Sequence, residues 1–379
     1  MMLVRAQIEK MELDNLAPYA ALSCKSRGRI YALDEHPLRT AFQRDRDRII
    51  HSAAFRRLEY KTQVFIPHEK DHFRTRLTHT IEVAQVARTL ARNLRLNEDL
   101  TEAIALVHDL GHTPFGHAGE DVLDELLQRQ GGFNHNRQSL RVVDILEQRY
   151  RDHPGLNLSY EVREGIVKHE TRSRIDAPGF EDDRQPTLEA ALVDIADEIA
   201  YNSHDIDDGL SAGIISFDDL VASDFFVELV GGETLRGVKS DDDFIRHQLV
   251  RRLVDRMATD VINETFARVK QFNIHDLETV RTAPEKICAY SEDMRSRVRQ
   301  LKSFLRDRLY NHARLVSKSQ RASEIMTAIF DRLVKEPLLM PVRFQKMLDD
   351  ESVEIVAADY IAGMTDRFAE KVYGEVGGG

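Results

Sequence analysis

Residues 108–120 read HDLGHTPFGHAGE and directly follow the apolar run Leu100–Val107. The stretch holds three histidines, an aspartate and a glutamate, together with three glycines and one proline. Glycine and proline commonly end helices, so Gly111 and Pro114 predict that a helix through the apolar run stops near the start of the stretch. Adjacent side chains on a helix point about 100° apart, so His108 and Asp109 can share an ion only near a helix end. The stretch therefore predicts reactive groups at the end of a helix.

A second helix is expected over residues 118–130, with Gly116 at its entry. His117 and Glu120 are three residues apart, a spacing that puts two side chains on the same side of a helix. Any one of the histidines also fits an ordinary polar turn between helices. Such a turn requires glycine and proline, but it has no need of five groups that bind metals or transfer protons. The group as a whole therefore indicates a functional site.

Arg76 and His79 form an Arg-x-x-His motif upstream of this stretch. Together with the histidine–aspartate pair that opens the stretch, the motif resembles the HD superfamily of metal-dependent phosphohydrolases. The longer string HDLGHTPFGHAGE is similar to the dGTPase family, the deoxynucleoside triphosphate triphosphohydrolases. Residues 52–65, SAAFRRLEYKTQVF, and residues 360–366, YIAGMTD, also resemble segments of this family. The likeness therefore runs, with gaps, over most of the chain.

The spacing of apolar residues predicts an all-α protein. Within residues 75–96 these residues recur at helical spacing and would hold His79 on a packed helix. A chain of 379 residues, 42% of them hydrophobic, can form one extended helical domain or two closely joined ones. We expect an N-terminal extension, an HD helical core and a C-terminal helical region packed on that core, over residues 1–39, 40–216 and 217–379. Loops are expected at residues 66–71 and 171–186, and one terminal helix at residues 353–373.

The net charge of −11 at pH 7 argues against general binding to nucleic acid, because such binding scales with the phosphates that Lys and Arg neutralise. An anionic nucleotide must then meet local cations, such as those clustered in residues 44–61, although this cluster also fits a solvated surface. Cys24 and Cys288 form no Cys-x-x-Cys motif, and no apolar run approaches membrane-spanning length. These features predict a cytoplasmic protein with no membrane partner.

A second informative stretch is residues 187–208, TLEAALVDIADEIAYNSHDIDD, which predicts a long helix. Asp197, Tyr201 and Asp205 step by four residues along one side of it, and Asp194 lies three residues before them. Polar groups on a stripe flanked by apolar residues would be costly to bury without partners. A solvated surface is the alternative, but the tyrosine and the apolar neighbours fit it poorly.

The resemblance implies a metal centre in which a distant aspartate completes a set of two histidines and two aspartates. The family pattern Asp-x-x-x-Tyr-x-x-x-Asp matches at Asp197, which favours this residue over Asp194 as the ligand. The predicted ligands are His79, His108, Asp109 and Asp197. Imidazoles and carboxylates suit Mg²⁺, Mn²⁺ or another divalent first-row ion, with positions left for water and substrate oxygens.

The resemblance also implies hydrolysis of a dNTP, with dGTP the first candidate, to deoxynucleoside and intact triphosphate. Arg76 could bring a guanidinium to the phosphate oxygens, and His135 matches a family histidine near the same phosphates. His117, oriented by Glu120, is expected to transfer a proton, either as acid or as base. His112 is expected to contact the α-phosphate.

Sugar recognition is expected from the polar stripe. Tyr201 and Asp205 lie one and two turns beyond Asp197, about 6 and 12 Å along the helix axis, which matches the reach from phosphate to ribose. Asp205 can accept a hydrogen bond from the 3′-hydroxyl, while the Tyr201 ring can pack against C2′ and exclude a 2′-oxygen. Glu59 is a second candidate for the 3′ contact, and Tyr310 is a candidate for the base or sugar pocket.

Two other classes of function stay open at the level of the sequence. The first is another HD phosphohydrolase, a 5′-nucleotidase or a cyclic-nucleotide phosphodiesterase. The second is a catalytically silent regulator that binds nucleotide or single-stranded DNA, against which His117 and Glu120 argue. Relatives assemble as oligomers, often hexamers, and some respond to dNTP effectors. The resemblance and the amphipathic C-terminal helices therefore favour a homo-oligomer and leave a dNTP effector open.

Overall fold

The computed structural model describes residues 2–64, 74–169, 177–181, 183–230 and 243–376. It confirms the predicted all-α architecture, in which an HD domain is followed by C-terminal helices. The described residues form isolated bridges between Arg29 and Ser159 and between Thr62 and Thr75, and no sheet. None of the helices described is both long and apolar enough to cross a membrane. The loop expected at residues 66–71 lies outside the described residues, as do residues 171–176 and 182 of the loop expected at 171–186.

The helices up to the polar stripe are α1 Arg5–Asn15, α2 Ala41–Ile50, α3 Ala53–Arg57, α4 Arg76–Asn93, α5 Glu98–Val107, α6 His117–Leu126, α7 His135–Arg141, α8 Tyr160–Val167 and α9 Leu188–Ser211. Those that follow are α10 Phe217–Val221, α11 Asp224–Val230, α12 Asp243–Gln271, α13 Leu277–Arg281, α14 Glu292–Leu305, α15 Ala313–Lys335, α16 Val342–Gln345, α17 Val353–Ala362 and α18 Asp366–Val376. Short π-helical turns, Val142–Leu146 and Arg306–Tyr310, extend α7 and α14.

Three helices that carry candidate metal ligands begin at side-chain caps. Thr75, Asn97 and Thr187 each accept a hydrogen bond from a backbone N–H in the first turn, at the starts of α4, α5 and α9. A cap of this kind contributes about 1 kcal/mol to stability. Helix starts are fixed in this way, so the positions of His79 and Asp197 along their helices follow directly from the sequence.

The larger hydrophobic core is centred on α4, α5 and α9, which pack against one another. Successive apolar residues of each helix are fully buried there, among them Val83, Leu90, Ile104, Leu192 and Ile199. Helices α12 and α14 add apolar side chains to the same core. This three-helix contact brings the predicted metal ligands together from distant parts of the chain.

A second, smaller core joins α6 to the C-terminal helices α15, α17 and α18. Val122 and Leu123 on α6 pack with buried residues such as Ile329, Phe330 and Ile361. Helix α6, which begins at His117, therefore belongs to a different core from the helices that carry the predicted metal ligands. The candidate site lies where the two cores meet.

The single terminal helix predicted over residues 353–373 is two helices, α17 and α18. The chain turns at residues 363–365, and the Thr365 hydroxyl accepts a hydrogen bond from Phe368 N–H at the start of α18. Helical spacing continues across the break, which is why the sequence pattern did not reveal it. The N-terminal extension also contains a helix, α1, that the sequence pattern did not indicate. The division of the chain at residues 39 and 216 stays a prediction.

Candidate active site

The turn after α5 packs so closely against α7 that it requires a glycine, Gly111, at its centre. A Cβ atom on Gly111 would lie only 2.2 Å from the backbone of His135 and of Ser139. The Ser139 hydroxyl accepts a hydrogen bond from Gly111 N–H at 2.8 Å and donates one to the carbonyl of His108 at 2.9 Å. The turn is thereby fixed directly beside the two residues that begin the HDLGHTPFGHAGE stretch.

All four predicted metal ligands meet at one place. His79 Nε2 lies 2.9 Å from Asp197 Oδ1. His108 Nε2 lies 3.3 Å from Asp109 Oδ1 and 3.8 Å from Asp197 Oδ1. Ligand atoms of His79, His108 and Asp109 all lie within 4.8 Å of one another. These spacings form a group that could hold one metal ion.

The state of His108 fits a metal ligand. Its Nδ1 lies 2.6 Å from the carbonyl of Ala105, and a donated hydrogen bond there leaves a lone pair on Nε2. Nε2 is buried and has no hydrogen-bond partner among the described residues. Burial lowers the pKa of His108, although the carboxylates of Asp109 and Asp197 oppose the shift. The neutral imidazole that results is the form that binds a divalent cation.

Both carboxylates of the centre are ionised. Burial alone would raise the pKa of Asp109, but the neighbouring His108 and Arg76 hold it well below its usual value. The pKa of Asp197 is also well below its usual value, because hydrogen bonds from His169 and His79 outweigh the effect of burial. A buried centre with two charged carboxylates fits a divalent cation.

His169, directly after α8, is a member of this centre that the sequence analysis missed. Its Nδ1 lies 2.5 Å from Asp194 Oδ1, and its Nε2 lies 3.8 Å from Asp197 Oδ2. His108, His169 and Asp197 form a second group that could hold a metal ion. Burial opposes protonation, but Asp194 and Asp197 raise the pKa of His169 to about 10. The available signal was Asp194, a polar group on the stripe to which no partner had been assigned.

The other catalytic candidates form a second cluster around Glu120. His135 Nδ1 lies 2.8 Å from Glu120 Oε1, which also accepts a hydrogen bond from the His135 backbone N–H at 2.9 Å. His117 Nδ1 lies 3.7 Å from Glu120 Oε2, and the His117 side chain is 67% exposed. Burial would raise the pKa of Glu120, but interactions with His117 and His135 bring it well below its usual value. The predicted pair, His117 and Glu120, is therefore adjacent, but the shorter contacts of the Glu120 carboxylate are with His135.

His112 connects the two clusters. Its Nε2 lies 3.1 Å from Asp109 Oδ1, and its ring stacks on the His135 ring with centroids 4.0 Å apart. On the other side of Asp109, Oδ2 accepts a hydrogen bond from Arg76 Nη1 at 3.0 Å. Arg76 is buried, and its Nε and Nη2 have no hydrogen-bond partners among the described residues. A buried guanidinium with two unused donors is suited to binding an anion.

Two of the sugar-site candidates, Tyr201 and Asp205, lie further along α9, while Tyr310 and Glu59 come from other parts of the chain. The Tyr310 hydroxyl donates a hydrogen bond to the Asp205 carboxylate. Burial raises the pKa of Asp205 to about 6, and the hydrogen bond from Tyr310 opposes the shift. Lys302 Nζ lies 5.7 Å from the centre of the Tyr201 ring. Glu59 accepts a 3.4 Å hydrogen bond from Thr75, the cap of α4.

The sequence of the chain matches known proteins and protein domains over most of its length. An HD domain matches residues 76–202, and a phosphohydrolase-associated domain matches residues 288–375. Relatives from Geobacter sulfurreducens, Ralstonia pickettii and Bordetella pertussis are named deoxyguanosinetriphosphate triphosphohydrolase-like proteins; they are 48%, 48% and 47% identical to this chain. The alignments cover 96%, 94% and 94% of the chain and 95%, 93% and 95% of the respective relatives.

The chain belongs to this dGTPase-like family. Membership confirms the resemblance seen in the sequence and shows that the chain is an HD-domain phosphohydrolase. The matched HD segment contains all four predicted metal ligands, as expected for a metal-dependent hydrolase. The C-terminal helices that form the smaller core with α6 fall within the phosphohydrolase-associated domain of the dGTPase-like chain.

Proposed function

We propose that this chain is a metal-dependent dNTP triphosphohydrolase that converts a dNTP, dGTP first among them, to deoxynucleoside and triphosphate. One observation carries the proposal. A buried histidine–aspartate centre is joined, through Asp109 and His112, to a separate cluster of histidines around Glu120. Hydrolysis of an unactivated phosphate ester needs charge neutralisation, an oriented nucleophile and a proton donor, and this arrangement offers groups for each. The names of the relatives support the choice of substrate.

His79, His108, Asp109 and Asp197 would hold the metal ion, for which we propose Mg²⁺ or Mn²⁺. The Nε2 of buried His108, which has no hydrogen-bond partner in the described part of the chain, and the two ionised carboxylates support this assignment. Such an ion supplies charge neutralisation for the phosphate and a more acidic bound water. His169, held by Asp194, faces the same centre and is a further candidate for orienting it.

Arg76 would bind the substrate phosphates. Its Nη1 is held by Asp109, which fixes the guanidinium beside the metal ligands. Its Nε and Nη2 supply two further donors, and a guanidinium matches the geometry of phosphate oxygens. His112, between Asp109 and Glu120, would contact the α-phosphate, and His135 would lie near the same group.

His117 would transfer a proton, either to the leaving 5′-oxygen or from the attacking water. It begins α6, is the most exposed of the three clustered histidines, and lies within reach of Glu120. The ionised Glu120 lies close enough to orient the His117 ring for proton transfer. Since Glu120 makes shorter contacts with His135, it also keeps that ring stacked on His112.

Tyr201 and Asp205, on the polar stripe of α9, would recognise the sugar. Asp205 is buried and accepts a hydrogen bond from Tyr310, so a 3′-hydroxyl would have a fixed acceptor beside it. Tyr201 lies on the same side of α9, between Asp205 and the metal centre, where its ring would pack against C2′. Glu59 would contribute a second 3′ contact.

We also propose that the enzyme acts in the cytoplasm as a homo-oligomer. Binding of a dNTP effector is a further proposal. Exposed apolar side chains in the C-terminal region, such as Leu338 at 80% and Val342 at 65%, support subunit contacts. Light scattering with and without dNTP tests the assembly, and a monomer under both conditions at micromolar concentration would contradict it.

The reaction is tested by phosphorus NMR of the products from each dNTP and NTP, with Mg²⁺ or Mn²⁺. Triphosphate is the expected product. Pyrophosphate or orthophosphate as product would show that a different phosphate bond is cleaved. No turnover of any nucleotide would refute the proposed activity. The same assay on UTP and GTP beside their deoxy counterparts measures sugar selectivity.

A further inference from the structure

We propose that the phosphohydrolase-associated region positions the catalytic turn of the HD domain through two buried side chains, Lys61 and Asp366. The turn concerned is residues 112–117, which runs from His112 to His117. The catalytic part of this inference rests on the function proposed above, whereas the structural part, that the turn is held from the C-terminal helices, does not.

Asp366 holds the turn from the start of α18. Its Oδ1 accepts a hydrogen bond from the backbone N–H of Phe115 at 2.9 Å. Its Oδ2 accepts hydrogen bonds from the backbone N–H and the hydroxyl of Thr62. Asp366 is buried, so these bonds are shielded from water. One carboxylate from the C-terminal helices thus fixes two separate segments of the HD region.

The backbone that Asp366 supports is unusual. Phe115 has φ +62° and Gly116 has φ +63°, so two consecutive residues have a positive φ. A residue with a side chain seldom adopts such a φ unless its surroundings impose it. These two residues immediately precede His117, so their conformation sets the direction in which α6 and the His117 side chain begin.

Lys61 holds the other end of the turn. Its ammonium donates hydrogen bonds to the carbonyls of His112 and Ala362, the last residue of α17. Its own carbonyl accepts a hydrogen bond from Arg76 N–H at 3.2 Å. Lys61 is only 2% exposed, and a buried cation is costly unless its donors are satisfied. Lys61 therefore joins the C-terminal helices, the catalytic turn and the first residue of α4.

These links cross the boundary between the two hydrophobic cores. The metal-ligand helices α4, α5 and α9 belong to the larger core, whereas α6 packs with the C-terminal helices in the smaller one. The relative position of the metal centre and the His117–Glu120 pair therefore depends on how the cores are joined. Lys61 and Asp366 supply polar, directional contacts at this junction, next to the reacting groups. They are positioning residues, since neither is placed in contact with substrate.

Asp359 provides a matched control. It is buried on α17, in the same C-terminal region, and accepts hydrogen bonds from Gln138 at 2.9 Å and Arg141 at 3.0 Å. These partners belong to α7, and among the described residues the side-chain hydrogen bonds of Asp359 do not reach residues 112–117. Asp359→Asn therefore weakens the junction between the regions without removing a hydrogen bond to the turn.

The experiment compares Asp366→Asn, Lys61→Met and Asp359→Asn with the wild-type chain, each full length and with Mn²⁺. Hydrogen exchange of peptides covering residues 112–120 should speed up by about tenfold or more in the first two variants and stay near wild type in the third. Turnover of dGTP should fall about 10- to 100-fold in kcat in the first two, because a displacement of about 1 Å has effects of that size. KM should change less than kcat, because Arg76 and the metal ligands lie outside the turn, and calorimetric Mn²⁺ affinity should change by less than about twofold.

Lys61→Met replaces the buried lysine with an apolar side chain of similar length. It tests the proposal even if Asp366→Asn fails to fold. Equal effects of Asp366→Asn and Asp359→Asn on exchange and kcat, at equal loss of Tm, would overturn it, because both would then act through stability alone. Wild-type exchange and kcat in Lys61→Met would also overturn it. If the wild-type chain cleaves no dNTP but exchange still rises only in Asp366→Asn and Lys61→Met, the proposed function fails and the structural link stands.

Discussion

His79 Nε2 lies 2.9 Å from Asp197 Oδ1, a contact that joins α4 to α9 at the edge of the larger core. The helices that carry these side chains pack along apolar faces, so the contact is a consequence of helix packing as well as of charge. It completes the set of four groups that we expect to hold the metal ion.

Removal of a metal ligand should therefore abolish metal binding while the helices stay packed. We expect His108→Ala and Asp197→Ala to bind Mn²⁺ at least about 100-fold more weakly, as measured by calorimetry and elemental analysis. His275→Ala, which changes an exposed histidine far along the chain, is the control and should bind as wild type. Undiminished metal content in both ligand variants would refute the proposed centre.

His169 should tune this centre from beside Asp197. Because Asp194 holds one ring nitrogen and Asp197 lies near the other, loss of the ring removes a group that orients a ligand carboxylate. We expect His169→Ala to weaken Mn²⁺ binding by about 10- to 100-fold, and Asp194→Asn to have a smaller effect in the same direction. Calorimetric titration measures both. Wild-type affinity in His169→Ala would show that the histidine serves packing only.

The choice of metal ligands came from the family resemblance, but their placement on helices could be predicted from the sequence for a physical reason. His79 and Asp197 stand on long helices with regular apolar spacing, and His108 stands beside a helix end marked by glycine and proline. Such local patterns are readable from the sequence. His169 has no periodic partner, and its role arises only where α8 meets α9 in space.

The contacts that cross between the two cores left no such pattern. Lys61 bonds to residues 112 and 362, and Asp366 to residues 62 and 115, separations at which no helical spacing operates. The preference of Glu120 for His135 is of the same kind, because α6 and α7 are joined by a turn whose geometry the sequence does not specify. Local spacing predicted which candidate residues share a helix face, whereas partners at long range required the fold.

The proton-transfer assignment predicts a selective loss of turnover in His117→Ala. Because the side chain is exposed and is not among the proposed metal ligands, its removal should leave Tm and Mn²⁺ affinity unchanged. We expect kcat for dGTP to fall about 100- to 10,000-fold, the usual contribution of a positioned acid or base. Steady-state kinetics supply the measurement. Full turnover in His117→Ala, with His135→Ala inactive, would transfer the role to His135.

Sugar selectivity should depend on the stripe of α9. Asp205→Ala should slow dNTP turnover about 100-fold or more, yet leave 2′,3′-dideoxynucleotides nearly unchanged, because these lack the 3′-hydroxyl that Asp205 would accept. Tyr201→Ala should instead narrow the difference between dNTP and NTP turnover. Competition assays with dGTP, GTP and dideoxy-GTP separate the two effects. Equal cleavage of GTP and dGTP by the wild-type chain would contradict this account even with an intact metal centre.

A buried carboxyl far from the metal centre predicts how stability depends on pH. Glu189 near the start of α9 is fully buried, and its Oε1 accepts hydrogen bonds from Ala21 N–H at 2.9 Å and Asn97 N–H at 3.1 Å. Burial raises the pKa of Glu189 to about 7, against the lowering effect of these hydrogen bonds, while its unfolded-state pKa is near 4.5.

Between these two pH values the folded chain binds more protons at Glu189 than the unfolded chain does, so this residue makes the free energy of unfolding fall as pH rises from about 4.5 to about 7. Glu189→Gln keeps an acceptor for the two N–H groups and cannot ionise. Its free energy of unfolding, relative to wild type, should therefore increase across this range, by about 3 kcal/mol at most. Urea unfolding at pH 5, 6, 7 and 8 measures the difference, with the exposed Glu370→Gln as control. A difference that does not change with pH would mean that Glu189 ionises equally in the folded and unfolded chains. Its burial, with no cationic partner among the described residues, should prevent this.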